Sequence, residues 1–357
     1  MPTLLRRILI IVIFFCSLGF SGTLCSDTLE KRLPVGPGGS LELITQGSDV
    51  IVEGTDRGEV LVKIESEGDI EENFEITFDQ QGNTLKIKTI PKKKSSDLSK
   101  SDRRHGLNFE ISVPRSFNTD ISTSGGDIGV RSINGRVSNK TSGGDVLCES
   151  ISGAVSARTS GGDVELSAVT GPVEVKTSGG DIDAVSITGD CSLKTSGGDI
   201  EASNISGECS FQTSGGDINL ESQNGSVQAS TSGGDIEFIG IKGTVRVKSS
   251  SGDITVNRLE GRVLAQSSGG DISVEMVQSP AEYCELNSTS GDIELFIPEN
   301  SNFQLSASTS GDEIKCDLPV TVTDVKKKGR LAGTVGSGGP LLDIKSTGGD
   351  ISIIAVD

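Results

Sequence analysis

One residue recurs with a spacing that nearly dictates the fold. Asp127, Asp145, Asp163, Asp181, Asp199, Asp217, Asp235, Asp253 and Asp271 follow one another at intervals of 18 residues without an insertion, mostly within the string T-S-G-G-D-[IV]. A constant period of this kind is the mark of stacked, equivalent units. Within each unit the residue after the aspartate is Ile or Val, and an apolar residue follows two further on, as in Val164 and Leu166 or Ile236 and Phe238. A second alternating segment starts at Val137, Val155, Val173, Cys191, Cys209, Val227, Val245 and Val263. Apolar residues two apart describe a strand with one buried face. Each unit therefore reads as strand, turn, strand, turn.

The turns have their own columns. Gly135, Gly153, Gly171, Gly189, Gly207, Gly225, Gly243 and Gly261 separate the two strands, and the Ser-Gly-Gly step makes the other corner. These columns account for much of the 47 glycines, and a thin interior of Val, Ile and Ala accounts for an aromatic content of only 3%. Neither strand can bury its apolar face alone, so the units must stack on one another. The prediction is an all-β, single-chain β-solenoid (β-helix) of 18-residue coils, with parallel ladders about 4.8 Å apart and a rise of roughly 43 Å over nine coils. A meander of antiparallel hairpins is the competing arrangement, but it has no reason to hold its loop lengths constant. A membrane β-barrel needs strands of about 9 to 11 residues with an apolar outer band. These segments have neither.

The flanks are less regular. Arg6 and Arg7, the apolar run from Ile8 to Phe20 and the small residues after it have the layout of a signal peptide, with 1–25 as the leader and an uncleaved signal anchor as the alternative. Residues 26–120 form a β-rich N-terminal cap region with strands expected at Leu41–Ile44, Val50–Val52, Val60–Ile64, Phe74–Phe78, Leu85–Ile90 and Phe109–Val113. The regular solenoid spans 121–291, and 292–357 hold irregular coils with Asp292, Asp312 and Asp350 in degraded copies and closing strands near Leu341–Ile344 and Ile351–Ile354.

Function is harder to extract from such uniformity. A formal charge of −18 has the wrong sign for a nucleic-acid partner. His105 is the single histidine and lies in a basic loop with Lys92–Lys94, Lys100, Arg103 and Arg104, so no Ser-His-Asp or Cys-His arrangement has context. A carboxylate-based, carbohydrate-active β-helix enzyme stands as an alternative, although an active site breaks repeat symmetry and these coils are nearly uniform. The Asp column is the sharpest candidate. Carboxylates about 4.8 Å apart repel by roughly 0.9 kcal/mol per pair in water. Either calcium offsets this, giving a calcium-binding rod with the nine aspartates as ligands, or each carboxylate accepts hydrogen bonds from corner amides.

Outward positions separate by charge. Lys140, Arg158, Lys176, Lys194 and Lys248 predict a basic stripe, while Glu165, Asp183, Glu201 and Glu237 predict an acidic one. The Thr column, from Thr123 to Thr231, shares the parity of the buried residues and is expected at an inward or corner position. Past the leader, Cys148, Cys191, Cys209, Cys284 and Cys316 lack the spacing of a zinc site. Cys191 and Cys209 fall in one column, one coil apart, where their Cα separation suits a candidate disulfide.

The T-S-G-G-D-I repeat, the opening Leu33-Pro-Val-Gly-Pro-Gly-Gly-Ser-Leu, the strand Phe109-Glu-Ile-Ser-Val-Pro and the closing Ser346-Thr-Gly-Gly-Asp-Ile together resemble the bacterial putative-adhesin β-repeat family, a domain of unknown function. That resemblance implies a β-solenoid at the cell envelope and transfers no catalytic or binding residues. The expectation is an exported, non-enzymatic structural or adhesion module in the periplasm, at the cell surface or outside the cell. Its expected partners are envelope or host glycans or surface proteins. It needs no cofactor, unless calcium occupies the Asp column, and touches a membrane only through a retained anchor.

Overall fold

The computed structural model describes residues 27–92, 106–311, 313–322 and 329–357. The expected leader, most of the basic loop with His105, Asp312 and Lys326–Lys328 lie outside the described residues. The described chain is built of strands joined by tight turns; its single short helix, Ile70–Asn73, is capped by Asp69 accepting from the Glu72 amide. Among the described residues no helix is long and apolar enough to cross a membrane.

The repeats form a parallel β-solenoid whose register equals the sequence period. Val146 pairs with Val164, which pairs with Ile182, then Ile200, Ile218, Ile236, Ile254 and Ile272. On the other side Val137 pairs with Val155, and the ladder continues through Val173, Cys191, Cys209, Val227, Val245 and Val263. Like residue stacks on like, so one core runs the length of the rod and every member of these columns is buried. Asn139 donates from Nδ2 to Cys148 Sγ, which shows that the two inward columns meet across a narrow interior. Bulk is compensated along it: Phe211 pairs in register with Ala229, and Ala184 and Ala202 stand next to each other in the facing column. Such trading of large for small keeps a close-packed interior of constant width.

The coil has one more corner than the two-strand reading expects. The longer strand, Val146–Ser152 in its coil, passes through Ser150 at φ 58 before Ile151 turns back into the core. The same left-handed residue recurs as Ser132, Ala168, Ser186, Asn204, Ser222, Gly240 and Arg258. The following residue opens a third inward column, Ile133, Ile151, Val169, Ile187, Ile205, Gln223, Ile241 and Leu259, all buried. Gln223 is the polar exception. Its Nε2 donates to the Gly207 carbonyl at 2.7 Å and its Oε1 accepts from Cys209.

Both ends are locked by strands inserted out of sequence order. Gly39–Ile44 lies between Thr84–Pro91 and Phe117–Ser122, and Asp49–Thr55 lies between Leu107–Pro114 and Ile128–Arg131, all parallel. At the other end Leu341–Ser346 lies between Cys284–Ser288 and Phe303–Thr309, and Ile351–Val356 between Ile293–Pro298 and Ile314–Cys316. Antiparallel ribbons then cover the ends, Asp27–Pro34 with Glu59–Ser66 and Phe74–Gln81 with Thr84–Pro91 on one, Arg330–Val335 with Phe303–Thr309 and Val320–Val322 on the other. Capping of this kind keeps the parallel ladder from presenting an open template for another chain. The six strands expected between Leu41 and Val113 are all present, and Asp27–Pro34 and Phe117–Ser122 join them.

Candidate functional site

The recurring corner is one hydrogen-bonded device made by three columns. In the coil Thr177-Ser178-Gly179-Gly180-Asp181, Thr177 Oγ1 donates to the Gly162 carbonyl of the preceding coil at 3.0 Å and accepts from the Gly180 amide at 3.4 Å. The Asp181 amide donates to Asp163 Oδ1 at 2.8 Å. Gly180 is obligatory by contact, since a Cβ there would stand 2.0 Å from the Gly162 carbonyl oxygen. Thr177 is buried, the inward placement that its parity predicts. Ser249, Ser267, Ser288 and Ser346 make the same pair of bonds where Thr is absent.

All nine aspartates of the column accept the amide of the following coil through Oδ1. The ladder is longer than the sequence period shows. Asp49 accepts from the Asp127 amide, Asp292 accepts from Asp350, and Asp350 accepts from the Glu313 amide. Charge-assisted bonds of this type are stronger than neutral ones, and they work against the mutual repulsion of the column. Among the described residues no group of three or more His, Cys, Asp or Glu is arranged to hold a metal ion.

Two charged stripes run along the outside. In the acidic one Glu165, Asp183 and Glu201 stack in register and Asn219 separates them from Glu237. Burial, then the neighbouring Glu201 and Glu165, push the Asp183 carboxyl above its ordinary range. The basic stripe carries Lys140, Arg158, Lys176 and Lys194 in register, with Lys248 further on. Glu174, in the outward row beside it, accepts from Arg158 at 3.1 Å and from Lys176 at 2.5 Å.

Cys191 and Cys209 pair in register on adjacent coils, 3% and 5% exposed, and both are free thiols, as are Cys148, Cys284 and Cys316. Burial pushes the Cys148 and Cys209 thiols up to about 12 and raises Cys191 as well.

A second patch lies outside the repeat logic, where the interval between Asp271 and Asp292 is three residues longer than the rest. The extra residues leave the ladder at the corner after Met276, and pairing resumes with Leu264 opposite Glu285 and Gln266 opposite Asn287. Arg262 stands over the Tyr283 ring at 5.8 Å and reaches Glu282 at 3.7 Å. Tyr283 donates to Glu285 at 3.0 Å, and Asn287 donates to the other Glu285 oxygen. The lengthened interval is the sequence signal that marks this patch.

No curated protein sequence matches the chain. A putative adhesin from Bacteroides fragilis NCTC 9343 is similar in structure, with 22% identity over 65% of this chain and 96% of that one and a TM-score of 0.39. A putative cell adhesion protein from Clostridium sporogenes ATCC 15579 matches with 11% identity over 92% of this chain and 100% of that one, TM-score 0.19. A putative adhesin from Parabacteroides merdae ATCC 43184 matches with 12% identity over 92% and 96%, TM-score 0.26. The model of the Toastrack DUF4097 family matches residues 39–240 and 223–354, nearly the whole of the described solenoid and its caps. The chain belongs to the Toastrack DUF4097 family.

Proposed function

We propose that this chain is an exported, non-enzymatic rod that serves as a structural or adhesive module at the cell envelope, presenting its sides to glycans or surface proteins. One observation carries the reading. The outward side chains come in rows, one residue per coil, as in Glu165, Asp183 and Glu201 or Lys140, Arg158, Lys176 and Lys194. A row repeats one weak contact many times along a polymer, which is how affinity is gathered by multivalency. Catalysis asks for the opposite, a few different groups converging on one reacting atom. The leader-like residues before Cys25 support export.

The test is co-sedimentation of the purified protein, without residues 1–25, with isolated cell envelopes. Saturable retention that falls when surface polymers are stripped supports the reading. A protein that stays in the supernatant, or that releases reducing ends from the polymer, overturns it.

A further inference from the structure

The patch where the period breaks lies beside a coil that carries two outward cations two residues apart on one strand. Arg246 and Lys248 stand two residues apart on Ile236–Lys248 and point to the same side, both exposed. Among the described residues neither is paired with a carboxylate, in contrast to Arg158 and Lys176, which share Glu174. Two unpaired cations on adjacent outward positions of a strand repel.

The rows that run through them are unlike the rest of the rod. One reads Gln228, Arg246, Leu264, Glu285 in register, and the other Ser230, Lys248, Gln266, Asn287. Together they line a groove of 440 Å³, within the range of ~300–1,000 Å³ usual for small-ligand clefts. Its floor is half-buried Leu264, its far wall is the Glu285 carboxylate held by Tyr283 and Asn287, and Asn287 Oδ1 is a buried acceptor without a donor among the described residues.

We infer that this groove is a glycan subsite that takes an acidic sugar flanked by neutral ones, with the sugar carboxylate on Arg246 and Lys248 and the next ring over Leu264. The inference rests on the reading of the chain as an envelope-binding rod. Arg supplies planar, forked donors for a carboxylate and Lys a second positive charge. Leu264 offers the apolar patch that a pyranose face covers, and the exposed Gln266 offers an amide group to hydroxyls. Glu285 lies two coils from Arg246, roughly 10 Å away, and its fixed negative charge disfavours a second carboxylate there. A homopolymer of acid sugars is thereby selected against.

The experiment measures binding of three oligosaccharides to the leaderless chain: one alternating glucuronate with N-acetylglucosamine, an oligogalacturonate, and neutral cello-oligosaccharide. The alternating probe should bind most tightly. Arg246→Gln with Lys248→Gln should weaken it by at least about tenfold while leaving the melting temperature within a few degrees, and Glu285→Gln should narrow its lead over oligogalacturonate. Failure of the wild type to prefer the alternating probe, or an unchanged affinity in the double variant, overturns the inference. If the double variant also sediments with envelopes as the wild type does, this subsite is wrong and the rod reading stands. Loss of sedimentation by the wild type itself removes the rod reading.

Discussion

The amide of Asp181 donates to Oδ1 of Asp163 across 2.8 Å, and this contact ties two residues of identical charge on consecutive coils. A carboxylate that accepts the amide of its own successor turns a repulsive column into a ladder of bonds. Asp199→Ala should cost about 1.5–3 kcal/mol, the range for a hydrogen bond to a charged group, because the Asp217 amide loses its acceptor. Asp199→Asn keeps an oxygen in place and should cost less than half as much. Urea unfolding of the two variants checks the order.

Adjacent glycines in one corner should behave in opposite ways. A Cβ at Gly180 would lie 2.0 Å from the Gly162 carbonyl oxygen, whereas at Gly179 the nearest atom is 3.7 Å away. Gly180→Ala should therefore destabilise by more than about 3 kcal/mol or prevent folding, and Gly179→Ala should stay within about 1 kcal/mol of the wild type. Equal effects of the two substitutions would contradict the close coil-to-coil approach.

Ala168 holds the left-handed corner at φ 53, where an L side chain is strained. Ala168→Gly should raise stability by about 1 kcal/mol, a gain unusual for a substitution to glycine. Thermal melting of the variant reads it directly.

Two pH dependences follow from the groups that burial perturbs. The Cys148 and Cys209 thiols are raised to about 12 in the folded chain from an ordinary value of 9.0. Between those values the folded state holds protons that the unfolded state has lost, so stability is intact below pH 9 and falls as pH rises toward 12, by roughly 1.4 kcal/mol per unit for each thiol. Native protein should resist alkylation at these two positions at pH 8 and label fully once unfolded. For Asp183, also raised, the sign is the same at the acid end: its ionisation costs stability as pH rises through the folded value. Asp183→Asn should thus stabilise at neutral pH by a few tenths of a kcal/mol, and the gain should vanish in acid.

Since each aspartate of the nine already engages a backbone amide, calcium should leave the melting temperature unchanged between millimolar metal and chelator. An upward shift with calcium would restore the column as a cation site.

The period made the parallel register, the buried columns and the two glycine corners legible in the sequence, because in a solenoid sequence distance and spatial distance are the same repeating number. What it hid was non-local or degenerate. The third corner is carried by Ser150, Ala168, Asn204 and Arg258, residues of different chemistry that share only a backbone angle. Asp49 joins the ladder, and Asp350 follows directly on Asp292 in it, because strands from both ends insert between coils distant in sequence, and no periodicity encodes that order. Arg246 escaped the stripe pattern because it sits two residues before Lys248, in a row whose other members, Ser192, Ser210, Gln228, Leu264 and Glu285 among them, are neutral or acidic.

Co-sedimentation with isolated envelopes, run on the chain without residues 1–25 and on a version that also lacks the coil 164–181, tests the account most directly. Removing 18 residues should rejoin Val146 to Ile182 in the same register, so the shortened rod should fold and still be retained in a saturable manner. A shortened chain that fails to fold, or a full-length chain that is not retained, would contradict it.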